Sequence, residues 1–92
     1  MDRLMTMRVF QAVADAGGFA AAARLLNMAP ATVTRFVADL EQDLGARLLQ
    51  RTTRRVSLTE AGSAYLARLR PILLELDEAR AQLGRASCRE RV

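Results

Sequence analysis

The feature that most constrains the fold is a very short break between two segments with helical apolar spacing. The inner positions are Phe19, Ala22, Ala23 and Leu26 in the first segment, and Val33, Val37, Leu40 and Leu44 in the second. Asn27 suits a left-handed residue at the end of one helix, and Pro30 suits the first position of the next. Only Met28 and Ala29 lie between them. Two helices joined by so tight a turn predict a helix-turn-helix.

The segments on either side complete a small domain. Asp2 can cap a first helix that runs to about Ala16, where Gly17 and Gly18 end it. Gly45 ends the third helix, and two strand-compatible segments, 47–50 and 55–58, then flank a polar turn. Thr59 can cap a fourth helix. The sequence therefore predicts a mainly α fold, with a helix-turn-helix among its first three helices, then a small β-hairpin and a long fourth helix.

The fourth helix carries a heptad-like pattern of leucines. Its apolar positions are Leu66, Leu69, Leu73, Leu76 and Leu83, with Arg80 in the one missing place. Pro71 interrupts this run and is expected to kink or locally break the helix, and the periodicity ends near Gly84. Because a lone helix cannot bury such a seam, these leucines predict a homodimer formed through the fourth helix.

Charge is concentrated in one part of the chain. The 92 residues carry a formal net charge of +4, and all of the basic residues are arginine. Four arginines and no acidic residue lie between Leu44 and Thr59. Such a local excess favours an anionic polymer or surface as partner.

Other features narrow the function classes. Cys88 is the single cysteine, which excludes an internal disulfide and favours a reducing, cytoplasmic setting. No apolar run approaches the ~20 residues of a membrane span. The chain has no histidine and no plausible metal cluster, so we expect no catalytic site, no metal and no cofactor. Asp39, Glu41 and Asp43 are expected to keep one side of the third helix away from a polyanion.

The third helix has an outer face suited to close approach. At roughly 100° per residue, Arg35 lies about 200° from Val33. Ala31, Ala38 and Gln42 share its face, and Thr32 and Thr34 flank it. Short side chains would let the helix enter a ~12 Å major groove. The alternative is an ordinary amphipathic helix whose outer face is only solvated.

The basic turn after the third helix favours a DNA-binding outer face over a face that is only solvated. Arg51, Arg54 and Arg55 repel one another unless an anion neutralises them. We expect Arg54 to reach a groove, and Arg51 and Arg55 to contact phosphates. A solvated charged turn is the alternative. Beside a helix-turn-helix, double-stranded DNA is the most plausible anion, whereas a protein-interaction module without DNA binding is the competing function.

Residues 9–62 carry a family resemblance, with the sequence VFQAVADAGGFAAAARLLNMAPATVTRFVADLEQDLGARLLQRTTRRVSLTEAG. From Met1 to about Leu83 the chain resembles the N-terminal part of LysR-type transcriptional regulators. The resemblance implies a mainly α, winged helix-turn-helix DNA-binding domain at residues 1–58, made of three helices plus a small β-hairpin wing. Its helix-turn-helix is expected at about 19–38 and its wing at about 48–58. It also implies a linker and dimerisation helix at 59–84.

The resemblance also implies which residues contact DNA. Thr34 and Arg35 match a Ser-Arg pair of the family, and Arg51 matches the arginine before the wing turn. Together with the surface argument, this gives as predicted DNA contacts Pro30, Ala31, Thr32, Thr34, Arg35, Arg51, Thr52, Thr53, Arg54 and Arg55.

The chain departs from the family pattern at several points. Ala20 replaces a frequent serine or threonine, Pro30 replaces a glutamine that can read a base edge, and Leu49 replaces a phenylalanine. The family's larger effector-binding domain is expected to be absent, and with it any small-molecule effector site. Residues 85–92 are expected to form a disordered or non-native tail.

Overall fold

The structure, a computed structural model, contains four helices and one hairpin in the part of the chain that it describes. That part is residues 2–51 and 56–90, with side chains described for 2–50 and 56–82. In chain order, the elements are α1 Arg3–Ala16, α2 Phe19–Leu26, α3 Pro30–Leu44, β1 Leu49–Arg51, β2 Val56–Leu58 and α4 Glu60–Glu90. This order confirms the predicted mainly α, winged helix-turn-helix architecture.

The predicted start of α1 and the predicted ends of α1, α2 and α3 are confirmed by the backbone conformation there. The Asp2 carboxylate accepts hydrogen bonds from the amides of Leu4 and Met5 and thereby caps α1. Three residues adopt left-handed conformations after α1, α2 and α3, namely Gly17 (φ 81°), Asn27 (φ 57°) and Gly45 (φ 67°). Glycine and asparagine tolerate positive φ better than other residues, so these positions end the helices where the sequence predicts.

The first three helices form the core. Helices α1 and α2 are bent by 120° at their connection, and α3 packs against both. The fully buried side chains at their centre include Phe10, Val13, Val33 and Val37. Among the described residues, no single helix is long and apolar enough to cross a membrane, and only the bent pair of α1 and α2 passes that test of length and composition together.

The first strand of the hairpin begins later than the sequence predicts. The strands pair antiparallel, with Leu49 opposite Leu58 and Arg51 opposite Val56. The first predicted strand, 47–50, was wrong at Arg47 and Leu48, and β1 extends one residue further, to Arg51. The second predicted strand, 55–58, is observed from Val56 onward. Arg47 and Leu48 stay outside the ladder because their backbone groups bond to Thr59 and Glu41 instead. Thr52, Thr53, Arg54 and Arg55 lie outside the described residues.

Helix α4 is longer and less interrupted than expected. It runs from Glu60 to Glu90 through Pro71, so the predicted break there is wrong. Pro71 is exposed, and the loss of one backbone hydrogen bond does not outweigh the helical residues on both sides. The helix also continues past Gly84 to Glu90, where an irregular tail was predicted. A glycine in a helix interior costs only about 1 kcal/mol and does not by itself end the helix.

The base of α4 packs antiparallel on α1. Arg8 donates to Asp77 at 2.9 Å and Arg70 donates to Asp15 at 2.6 Å. The earlier residue of α1 thus pairs with the later residue of α4, so the two helices run in opposite directions. The hydrogen bond to Asp15 also raises the pKa of Arg70. Leu73 lies between the two ion pairs and is 2% exposed.

This packing corrects the predicted dimer seam. Leu66, Leu69 and Leu73 are 5%, 2% and 2% exposed because they complete the core of their own domain. Side chains with so little free surface cannot also contact a partner chain, so their assignment to dimerisation was wrong. Leu76 is 42% exposed and stays available, whereas the side chain of Leu83 lies outside the described residues.

Candidate nucleic-acid interface

The N-terminal end of α3 is open to a ligand. Ala29 precedes the helix with extended backbone angles and provides no side-chain hydrogen bond to its first amides. Pro30 occupies the first helical position, where the missing N–H costs nothing. The amides of Thr32 and Val33 both donate to the Ala29 carbonyl, so the amide of Ala31 is the first-turn donor left for a ligand. The helix dipole adds a partial positive charge that favours an anion at this end.

The two sides of α3 differ sharply in exposure. Val33 and Val37 are completely buried and Leu40 is 2% exposed, whereas the predicted contact residues Pro30, Ala31, Thr32 and Arg35 are all exposed. Ala38 is exposed on the same side. The predicted division of the helix into an inner and an outer face is therefore confirmed, except that Leu44 is 41% exposed rather than buried.

Thr34 has a more restricted role than its position in the sequence suggests. It is partly exposed, and its hydroxyl donates to the carbonyl oxygen of Pro30 at 3.0 Å. A hydroxyl that donates within its own helix keeps only its oxygen lone pairs for a ligand. Thr34 can therefore accept a hydrogen bond from a base, or offer its methyl group, without donating.

Asp39 and Asp43 form an acidic patch on another side of α3. Together with Arg3, Thr6 and Gln42 they line a surface depression of about 390 Å³ between α3 and α1. The Nε of Arg3 lies 3.7 Å from the carboxylate of Asp43. One oxygen of Asp39 is buried without a hydrogen-bond partner. Gln42, which was predicted to share the face of Arg35, lines the depression beside the two carboxylates, so the acidic patch borders the outer face of α3.

Glu41 does not belong to this acidic patch, although the sequence groups it with Asp39 and Asp43. Its Oε2 accepts hydrogen bonds from the backbone amides of Leu48 at 2.8 Å and Leu49 at 3.2 Å. No pattern in the sequence distinguishes this carboxylate from its neighbours. The only available signal is its place on the helix, about 100° from Leu40 and so next to the buried face.

The start of α4 contacts the same piece of backbone from the opposite direction. The hydroxyl of Thr59 donates to the carbonyl of Arg47 at 2.6 Å and accepts from the amide of Gly62 at 2.9 Å. The amide of Thr59 donates to the carbonyl of Leu48 at 3.0 Å. Thr59 therefore caps α4, as predicted, and also joins that helix to the entry of the hairpin.

The predicted contacts of the basic turn are only partly described. Arg51 ends β1, and its backbone pairs with Val56. The other predicted contacts in this turn, Thr52 to Arg55, lie outside the described residues and stay sequence predictions. The described geometry thus brings together Pro30, Ala31, Thr32, Thr34 and Arg35 on one helix and places the hairpin base directly after that helix.

Comparison with known proteins identifies the family. A family model described as bacterial regulatory helix-turn-helix protein, lysR family, matches residues 4–63. The chain belongs to the LysR family. The match covers all three core helices, the hairpin and the first turn of α4.

Two curated relatives within the LysR family illustrate the match. An HTH-type transcriptional repressor of Pseudomonas aeruginosa is 48% identical over 83 residues, which cover 90% of this chain and 26% of that protein. The HTH-type transcriptional activator AaeR of Escherichia coli is 42% identical over 83 residues, covering 90% of this chain and 27% of the relative. The chain thus spans about a quarter of the length of these relatives.

Solved structures of LysR-type domains have the same fold. The domain in the CbnR_DBD–DNA complex superposes with a TM-score of 0.81 at 41% identity, covering 96% of this chain and 99% of that one. The domain in the BenM_DBD complex with catB site 1 DNA gives a TM-score of 0.87 at 29% identity, covering 95% and 97%. Both are described as complexes with DNA.

Proposed function

We propose that this chain binds double-stranded DNA sequence-specifically, as the N-terminal domain of a LysR-type transcriptional regulator. The observation that carries the proposal is the exposed, short and singly basic outer face of α3, opposite a fully buried stripe. A helix of this shape fits the major groove, and its uncapped N-terminus favours phosphate. The DNA complexes of the CbnR and BenM domains support the assignment.

The residues divide into readers of bases and ligands of the backbone. Arg35 extends from the outer face of α3 and is suited to bidentate bonding with guanine. Thr32 flanks it, and Thr34 offers a hydrogen-bond acceptor suited to the amino group of adenine or cytosine. Arg51 and Arg55 are proposed as phosphate ligands, and Arg54 as the residue that reaches the adjacent minor groove. Binding of this kind requires no catalytic group, metal or cofactor.

The test is affinity for mixed-sequence double-stranded DNA across a range of salt concentrations. Binding through phosphates gives a steep negative slope of log affinity against log salt, proportional to the number of phosphates neutralised. The competing function, a protein-interaction module without DNA binding, gives a flat line. Binding to DNA also implies a cytoplasmic location in a bacterial cell.

Two arginine substitutions separate the proposed roles. Arg35→Ala should cost about 1–3 kcal/mol on the cognate site and relax preference at one or two bases. Arg54→Ala should weaken binding to all sequences and reduce the salt slope by about one. Selection of bound sequences from a random pool, repeated for each variant, measures both effects.

Arg3→Ala is the matched control, because it removes the same charge from an exposed position on α1, outside the proposed DNA and dimer interfaces. It should leave base preference unchanged and alter the salt slope less than Arg54→Ala. Identical behaviour of Arg35→Ala and Arg54→Ala across a panel of sites would contradict the division of roles.

We further propose that the chain forms a homodimer through an exposed face of α4. Ile72 and Leu76 are 54% and 42% exposed, and Ala79 is exposed at the next heptad-like position. The spacings of 4 and 3 place these residues on one side of the helix. Leu83 is predicted to continue the same face. A two-fold dimer would present two copies of α3 to a roughly palindromic site.

A further inference from the structure

We infer that Glu41 is a positioning residue, which fixes the hairpin to α3 and so sets where the basic segment meets DNA. The inference rests on the proposed function. The argument concerns three residues that enclose the backbone of 47–49, namely Glu41, Thr59 and Gly62, together called the hairpin clamp.

Glu41 forms the α3 side of the clamp. One of its carboxylate oxygens accepts from two successive amides, those of Leu48 and Leu49, at 2.8 and 3.2 Å. The side chains of Leu48 and Leu49 are 1% and 0% exposed, so the backbone at this point is itself tightly packed. Hydrogen bonds to an ionised acceptor are shorter and stronger than neutral ones. The carboxylate therefore ties the entry of β1 to the last turns of α3.

Thr59 and Gly62 form the α4 side. Thr59 bonds the carbonyls of Arg47 and Leu48 through its hydroxyl and its amide. A Cβ atom on Gly62 would lie only 2.0 Å from the carbonyl oxygen of Leu48, so the first turn of α4 rests directly on this backbone. The stretch 47–49 is thus held from both directions, and the hairpin has a fixed base.

The hairpin depends on this base for its orientation. Three residue pairs of its ladder lie among the described residues, and a single two-stranded hairpin is only marginally stable alone. The sequence between its strands includes Arg54 and Arg55. If the base is fixed to α3, the hairpin arginines and the α3 surface meet the duplex as one body, and less conformational freedom is lost on binding.

The experiment compares Glu41→Ala with Asp43→Ala. Each removes one negative charge from α3, and charge alone would strengthen binding to a polyanion in both cases. We expect Asp43→Ala to bind mixed-sequence DNA at least as tightly as the wild type. We expect Glu41→Ala to bind about tenfold more weakly, as for the loss of a charge-assisted contact, and with a shallower salt slope.

Two further readouts distinguish positioning from a general loss of structure. Glu41→Gln keeps an amide oxygen that can accept from Leu48 and Leu49, so it should recover part of the lost affinity. Amide hydrogen exchange at Leu48 and Leu49 should quicken in Glu41→Ala, while exchange at Val33 and Val37 in the core of α3 stays at the wild-type rate. If Glu41→Ala does not fold, weaker DNA binding with faster exchange at those two amides in Glu41→Gln would itself support the inference.

The outcomes separate this inference from the function on which it rests. A wild-type chain with no salt-dependent affinity for DNA would contradict the proposed function. A wild-type chain that binds DNA, together with Glu41 variants that bind as tightly as Asp43→Ala, would overturn the positioning role alone.

Discussion

Gly62 shows at the scale of one residue how closely two elements approach. A methyl group there would lie 2.0 Å from the oxygen and 2.8 Å from the carbon of the Leu48 carbonyl. Helix propensity alone predicts that Gly62→Ala stabilises the chain by about 1 kcal/mol. The steric conflict predicts the opposite sign, a loss of about 1–3 kcal/mol in the free energy of unfolding. Urea denaturation of Gly62→Ala, monitored by circular dichroism, distinguishes these two predictions.

Ser63→Ala provides the control for this prediction. Ser63 is exposed in the same helical turn, so its substitution should change the free energy of unfolding by no more than about 0.5 kcal/mol. A Gly62→Ala chain more stable than the wild type would contradict the close approach of α4 to the hairpin entry.

Tyr65 gives a prediction that depends on pH. Burial of its ring beside Phe10, with the negative charge of Asp43 as a second cause, raises the pKa of Tyr65 above 10.0. The fold therefore favours the neutral phenol, and its contribution is complete below the unfolded pKa and is lost as the pH rises through the folded one. The free energy of unfolding should fall more steeply above pH 10.0 in the wild type than in Tyr65→Phe.

The titration can be observed directly, because the chain has one tyrosine and no tryptophan. The ultraviolet absorbance of tyrosinate should give a midpoint above the ordinary value. Asp43→Asn should lower that midpoint without restoring it fully, since burial is the larger cause. A midpoint at the ordinary value in the wild-type chain would contradict the packing of Tyr65.

At the scale of elements, the attachment of α4 to α1 depends on Leu73. The two ion pairs beside it, Arg8–Asp77 and Arg70–Asp15, are exposed to solvent, and exposed pairs contribute only about 0–1 kcal/mol each. Leu73→Ala should lower the free energy of unfolding by about 2–5 kcal/mol, because it opens a cavity in the core. The adjacent Leu74 is 58% exposed, so Leu74→Ala should change the free energy of unfolding by no more than about 0.5 kcal/mol. Equal losses in the free energy of unfolding for Leu73→Ala and Leu74→Ala, measured by urea denaturation, would contradict the burial of Leu73 between α4 and α1.

The helices could be predicted from the sequence because their signals are local. Asn27 and Pro30 determine backbone conformation through their own side chains, and Gly45 does so because it lacks one. The apolar spacing of α3 identifies its buried face. The leucines of α4 carry no such information about their partner. A seam at Leu66, Leu69 and Leu73 has the same spacing whether it meets a second chain or α1, and only the tertiary structure decides.

The candidate site divides in the same way. The outer face of α3 follows from periodicity, so the exposure of Arg35 and Thr32 could be predicted. Glu41 could not be assigned, because its partners are the backbone amides of Leu48 and Leu49, which lie beyond the end of α3 and come back against Glu41 only after the turn at Gly45. Contacts to backbone leave no pattern of residue types in a sequence.

At the scale of the whole molecule, Ile72 and Leu74 test the dimer. They are 54% and 58% exposed, and two residues apart on a helix they lie on nearly opposite sides, about 200° around its axis. Ile72→Glu should shift sedimentation at micromolar concentration toward the monomer, because a carboxylate would enter the proposed interface. Leu74→Glu should leave the distribution unchanged. A dimer that survives Ile72→Glu and dissociates with Leu74→Glu would place the interface on the other side of α4.

The elongated shape of the chain, 55 × 26 × 22 Å, follows from α4 extending beyond the core that holds its base. The buried Leu73 and the close contact at Gly62 fix the base of α4 to the core. The helix and the core should therefore rotate together. In the proposed dimer, a torque applied to the distal end of α4 would tilt the two copies of α3 relative to the duplex axis. A force transmitted along α4 would therefore change the angle between the two copies of α3, and with it their fit to two DNA half-sites.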